Sequence, residues 1–288
     1  MTYEIALGDR AYSSWSLRGW LLFERFTIPY TARHALLGSD AFTTMMQDFQ
    51  PARTVPAVRF PDVAISDSLA IAEELATRHP DAGIWPTAPV ARALARALAA
   101  EMHSGFLPLR RACGMNLRTA YAGVTVDDTV TANLRRLERI WDHARATCGG
   151  DGPWLCGDYS AADAFFAPVA ARIAGYALAV SASAQEYVAA HLADPAFRRW
   201  RAMALVDGPD RPEWFQDAPR RDWPGPVPLA AQAVQSGTPE NATCPYSGKP
   251  VTHLMQMNGR IFGFCNAFCR DKTVADPEVW PQFMQIRG

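Results

Sequence analysis

The sequence predicts an α+β chain in three parts: a small mixed sheet with helices packed on it, an all-helical unit, and a small cysteine-bearing tail. Three observations predict it. Short apolar runs alternate with amphipathic stretches over residues 1–80. From about Arg92 the pattern changes to long helical stretches without convincing strands. Three of the six cysteines crowd into the final 45 residues, behind a proline-rich segment.

Taken in order, YEIALG (residues 3–8) reads as a strand. In WSLRGWLLFERF, Leu17, Leu21 and Leu22 recur at i, i+4 and i+5, the spacing of an amphipathic helix. IPYTARHAL is a second strand candidate. FQPARTVPAVRFPDVAISDSLAIAEELATRH reads as a proline-containing turn, a short strand AVRF, a second short strand VAIS and a helix starting near Asp67. The order βαβ then ββα suits a small mixed sheet, and residues 1–80 form the first domain. HPDAGIWPTAP leads into the helical unit, residues 92–205, whose stretches include ARALARALAAEMHSGFLPLRRA, VTANLRRLERIWDHARAT, AADAFFAPVAARIAGYAL and SAQEYVAAHLADPAFRRWRAMAL. Residues 206–240 are crowded with prolines, which neither continue a helix nor donate to a sheet ladder, so an extended linker is expected. Its Trp214 and Trp223 suggest that it lies against the helical unit. Residues 241–288 are the tail.

The 49% apolar content fits a globular protein, and a net charge of −1 gives no electrostatic case for nucleic acid or an anionic membrane as partner. The greasiest window, FFAPVAARIAGYALAV, is interrupted by Pro168 and Arg172 and falls short of the ~20 apolar residues a span needs. No secretory signal is visible, and a cytoplasmic setting is expected. There, a terminal cysteine cluster points to metal binding over disulfides.

Three features of the first domain fit one chemistry. The hydroxyls of YSSWSLRGW (Ser13, Ser14, Ser16) sit where a strand turns into a helix, and backbone N–H groups at a helix N-terminus favour negative charge, a thiolate included. A cis Val55-Pro56 bond would free the Val55 backbone to pair with an extended peptide. Asp67-Ser68 opens another helix and offers a hydroxyl and N–H groups to a carboxylate. Read separately, the serines and Asp67-Ser68 could also be helix caps, and Pro56 an edge-strand proline. Ser160-x-x-Asp163 reads as the capping box of a buried helix. His34, His79, His103, His143 and His191 form no recognisable site. Met102, Phe106 and Arg110 are candidates for a second-substrate pocket, with core packing the favoured role for the first two.

YSSWSLRGW, TVPAV and SDSLAI, in this order and spacing, resemble the serine-type glutathione transferases. The first is closest to the SS-x-S-x-R pattern of the zeta class, which includes maleylacetoacetate isomerases. The resemblance covers residues 1–205 and implies a thioredoxin-like N-terminal domain followed by an all-α glutathione-transferase C-terminal domain. It implies that Ser13 or Ser14 stabilises the glutathione thiolate, that Val55, beside a cis Pro56, pairs with the cysteinyl backbone, and that Asp67 and Ser68 hold the γ-glutamyl end. Where the family usually has Lys or Gln before the Val-Pro pair, this chain has Thr54 behind Arg53, so the glycine end of glutathione has no assigned partner. With no cysteine before Cys113, dithiol exchange drops out.

In the tail, Asn258-Gly259 is a two-residue hairpin signal, with Cys244 before the first strand and Cys265-x3-Cys269 after the second. The segment resembles the YHS and TRASH group of small metal-binding modules, which implies a treble-clef-like zinc knuckle with Cys244, Cys265 and Cys269 as ligands. Ser247 stands where a CxxC knuckle would have its second cysteine. His253 is the other candidate fourth ligand, although register about the turn pairs it with Phe264 and turns it to the sheet face opposite Cys265. Three cysteines packed without metal remain the alternative.

The expected activity is attack of bound glutathione thiolate on a small electrophile, by a homodimer. The alternatives are a zeta-like isomerase, in which glutathione adds and leaves again, and a non-catalytic glutathione- or metal-binding sensor.

Overall fold

The computed structural model, which describes residues 2–288, builds its first sheet from β1 (Tyr3–Leu7), β2 (Tyr30–His34), β3 (Ala57–Arg59) and β4 (Ala64–Ser66) in the order β2-β1-β3-β4. β1 and β2 run parallel, Tyr3 opposite Tyr30 through Leu7 opposite His34; β3 and β4 are antiparallel to their neighbours. α1 (Ser14–Glu24) is the crossover between β1 and β2, and its Leu17, Leu21, Leu22 and Phe23 are buried. α3 (Ser68–Arg78) follows β4. Between β2 and β3 lies α2 (Asp40–Gln47), absent from the sequence expectation. Its two turns are too short to show a period, although Ser39 caps it by accepting from Phe42 N.

The helical part begins with α4 (Pro89–Ser104) and α5 (Leu107–Ala112). These read as one stretch in the sequence but break at Gly105-Phe106, where Phe106 takes φ 57°. A Cβ on Gly105 would meet the Glu101 carbonyl oxygen at 2.7 Å, so the chain turns there on a residue without one. α6 (Asp128–Cys148) and α7 (Ala161–Gly175) follow, then α8 (Ala182–Ala193) and α9 (Pro195–Val206), which Pro195 separates. Every residue of α7 is buried, which explains its greasy composition: it is the central helix of this part, and no helix among the described residues is long and apolar enough to cross a membrane. Arg18 of α1 donates through Nε to the Phe165 carbonyl of α7, 3.2 Å away.

The chain divides into two compact units. The first holds residues up to Leu192 together with Arg211–Pro224. In it the proline-rich segment runs over the helices, and β6 (Arg220–Arg221) pairs antiparallel with β5 (Ala120–Tyr121), a strand pair inside the part expected to be all helix. Arg221 also donates to the Ala174 carbonyl.

The second unit joins Ala193–Asp210 to Gly225–Gly288. Its sheet is β7 (Gln232–Val234), β8 (His253–Met257) and β9 (Arg260–Phe264), with the Asn258-Gly259 turn at φ 53° and 77°. α10 (Ala267–Ala275) and α11 (Pro281–Arg287) complete it. α9, which the sequence boundaries put with the helical domain, packs on α10 instead. Arg198 of α9 grips Asp276 with two bonds of 2.8 Å, and Arg199 donates to the Val279 carbonyl. Met255, Met257, Phe262, Phe264 and Phe283 form the core.

Candidate functional site

The turn from β1 into α1 is held by a closed set of hydrogen bonds. Ser13 N donates to the Asp9 carbonyl (2.8 Å), and Ser13 is the N-cap, its Oγ accepting from Ser16 N at 3.3 Å. The Ser13 hydroxyl in turn donates to Ser16 Oγ (2.9 Å), which also accepts from Gly8 N (2.9 Å). Ser13 and Ser16 therefore lock the helix start onto the end of β1. Ser14 differs: among the described residues no side-chain hydrogen bond engages its hydroxyl, and with Ser13 it lines a cavity of about 260 Å³.

Of the two further walls of this cavity, the sequence pointed only to Arg110. Trp214, from the proline-rich segment, stacks on Tyr12 at 5.7 Å between centroids. It is held there because Arg211 N donates to the Tyr12 hydroxyl, and the Arg211 guanidinium pairs with buried Asp9 at 3.2 Å. The opposite wall is cationic: Arg110 and Arg111 from α5, and Arg172 from α7. Arg110 lies over the Trp15 ring at 4.7 Å, as does Arg18. Among the described residues none of Arg18, Arg110, Arg111 and Arg172 has a carboxylate within salt-bridge distance, and Arg18 Nη1 has no hydrogen-bond partner. Burial, then the neighbouring Arg110 charge, pushes the Arg172 guanidinium down to about 10; burial, then Arg172 and Arg110, likewise lowers Arg18. Asp67 offsets this only in part at Arg18, and guanidinium groups gathered in a partly buried place favour an anion there.

Val55, Pro56, Asp67 and Ser68 do not line that cavity. The Val55-Pro56 bond is cis, and Pro56 packs so closely on α1 that a Cβ on Gly19 would meet it at 2.5 Å. Asp67 caps α3, accepting from Leu69 N (2.8 Å) and Ala70 N (3.3 Å), and does so at φ 84°. A non-glycine residue held there costs of order 1–3 kcal/mol, the kind of strain that collects at ligand sites. Its other carboxylate oxygen lies 3.1 Å from His103 Nε2, and the His103 ring meets Trp15 edge-on at 5.3 Å. His103, given no role from the sequence, thus links the start of α3 to that of α1. Ser68 is fully buried with no partner for its hydroxyl among the described residues. Met102 and Phe106 are buried away from the cavity.

Ser160 and Asp163 form the capping box of α7. Asp163 accepts from Ser160 N (2.9 Å), Ser160 Oγ (3.1 Å), Leu155 N (3.2 Å) and the Tyr187 hydroxyl (2.9 Å).

In the second unit the sulfurs of Cys244, Cys265 and Cys269 lie within 4.8 Å of one another, Cys265 and Cys269 at 3.9 Å. Tetrahedral zinc with Zn–S near 2.3 Å separates its sulfurs by about 3.8 Å, so these residues fit such an ion. His253 does not join them: it pairs with Phe264 across the hairpin, and its Nδ1 lies 2.9 Å from Thr252 Oγ1.

Residues 12–78 match the glutathione S-transferase N-terminal domain family. A maleylacetoacetate isomerase of Dictyostelium discoideum is 27% identical over 153 residues, 49% of this chain and 68% of that protein. A probable maleylacetoacetate isomerase of Caenorhabditis elegans is 33% identical over 100 residues, and there the chain spans 46% of the relative's length. Among solved structures, a Burkholderia glutathione transferase homolog with bound glutathione superposes with a TM-score of 0.55 at 21% identity, over 72% of this chain and all of that one. Omega 2S glutathione transferase of Trametes versicolor, in complex with 2,4-dihydroxybenzophenone, gives 0.54 at 23% identity, over 72% and 96% of the two chains.

Proposed function

Since the chain has the glutathione transferase fold, with that family's N-terminal domain over residues 12–78, we propose that it joins glutathione thiolate to a small electrophile. The observation that carries this is an unengaged hydroxyl, Ser14, on the first turn of α1 at a cavity. A free thiol with pKa ~8.5 is mostly protonated at neutral pH, and the thiolate is the nucleophile. One O–H donor and the N–H groups of a helix start stabilise the anion, the thiol proton passing to water; the sulfur lone pair then forms the bond to the electrophilic carbon, whose displaced electron pair departs with a leaving group or, in an addition, moves onto a conjugated carbonyl and is protonated. Ser14 is the sulfur's donor in this reading, because the Ser13 proton is directed at Ser16. Val55 and Pro56 receive the cysteinyl backbone. The capped start of α3 receives the γ-glutamyl end, with Asp67 for its ammonium and the unpartnered Ser68 hydroxyl for its carboxylate. Isothermal titration with glutathione tests this: micromolar to millimolar uptake is expected, and none would sink it.

The arginine wall favours one kind of electrophile, an anionic one. It supports the second reading, a zeta-like isomerase acting on a carboxylate-bearing substrate, which the names of the two curated relatives also suggest. Arg110→Met should raise KM for a carboxylate-bearing electrophile roughly tenfold to a hundredfold, the worth of a charged hydrogen bond. A neutral aryl halide should change little. Equal losses on both substrates would remove the anionic preference.

Zinc belongs to this proposal as an ion of the tail, held by Cys244, Cys265 and Cys269, where it would staple a unit with a small core. Homodimer formation and a cytoplasmic setting are likewise part of it; all six cysteines are free, as a reducing compartment would keep them. Fixing Trp214 as a cavity wall depends on Arg211. Arg211→Ala should therefore raise KM for the electrophile more than for glutathione, in steady-state kinetics with each varied in turn.

A further inference from the structure

Ser247 lies against two members of the cysteine triad. Its Oγ is 3.2 Å from Cys265 Sγ and within hydrogen-bonding reach of the Cys244 thiol. A neutral hydroxyl is a poor ligand, since metal ligands of this kind bind deprotonated. No His, Asp or Glu ligand atom joins the three sulfurs among the described residues, and Ser247 itself is exposed. A structural zinc site is closed by four protein ligands; one that keeps a position open exchanges what it holds there.

Charge decides what that position accepts. Three thiolates around a divalent ion leave one negative charge. One turn along α10 from Cys269, the Lys272 ammonium lies 3.8 Å from the Tyr246 ring centre and 3.9 Å from that of Trp280. It is nine-tenths buried and held beside the cluster by the residue that precedes Ser247. The ammonium balances the three-thiolate site, whereas a fourth anionic ligand would leave a net charge in a half-buried place.

We propose that the tail holds an open three-thiolate metal site, in which Ser247 leaves the fourth position to a neutral ligand from solution and Lys272 balances the charge. This rests on the tail binding a metal, and is independent of the transferase reading. The test is reconstitution of the full chain with Co2+ after chelation, followed by its thiolate charge-transfer and d–d absorption. One Co2+ per chain is expected. Imidazole should shift the d–d bands of the wild type and of Ser247→Ala, but not of Ser247→Cys. Ser247→Cys should also release metal to a chromogenic chelator at least about tenfold more slowly, as a fourth thiolate closes the site. If the wild type takes up no stoichiometric Co2+, the metal reading itself falls. If it takes up one ion whose bands ignore imidazole and whose release matches Ser247→Cys, the metal stays and the open position is wrong.

Discussion

Replacing Ser14 by alanine is expected to raise the thiol pKa of bound glutathione by about one to two units, equivalent to losing a charged hydrogen bond of about 1.5–3 kcal/mol. The thiolate is the form present above its pKa, so conjugation at neutral pH should fall roughly tenfold to a hundredfold and recover as pH is raised. Thiolate absorbance of the glutathione complex, followed across pH, reads the shift without reference to any electrophile. Ser13→Ala should behave differently. It removes an N-cap and the Ser16 contact, so the expected loss is about 1 kcal/mol of stability, with a smaller change in thiol pKa. The reverse pattern, a large pKa change for Ser13→Ala and none for Ser14→Ala, would transfer the role to Ser13.

Asp163→Ala is expected to cost about 3–5 kcal/mol, enough to unfold a marginally stable domain. The carboxylate is fully buried, and its removal strands the Ser160 and Leu155 N–H groups and the Tyr187 hydroxyl without acceptors. Urea unfolding followed by tryptophan fluorescence measures it, Trp141 and Trp154 both meeting Tyr187 edge-on nearby. Burial pushes the Asp163 carboxyl up, against the hydrogen bonds it accepts from Ser160, Tyr187 and Leu155. The folded state then holds this proton more tightly than the unfolded chain. The resulting stability is present at low pH and is lost as pH rises through the raised folded value. Asp163→Asn should flatten that dependence while keeping part of the hydrogen bonding.

What was legible in the sequence was what local spacing determines. The period of α1, the Asn258-Gly259 turn with its His253–Phe264 register and the Ser160–Asp163 box each follow from residues close together in the chain. Residues that work only across long separations stayed hidden. Arg172 looked like an interruption of an apolar window, because its partners are the Cys113 carbonyl and the Pro168 turn. Trp214 was legible as a residue that packs, but its place on the cavity needs Arg211 to find Asp9, 202 residues earlier in the chain. β5 and β6, two residues each, carry no periodicity at all. Asp67 and Ser68 were found as a helix start, while the positive φ of one and the orphaned hydroxyl of the other needed coordinates.

The backbone passes between the two compact units three times, at residues 192–193, 210–211 and 224–225, so neither unit is one uninterrupted piece. Cutting before residue 241 would strip α9 of the partner it covers, and cutting before residue 193 would also discard Trp214. Neither half can be inherited, deleted or transplanted by a single splice. The tail is woven into the chain, and removing it would uncover the face of α9 that now lies against α10.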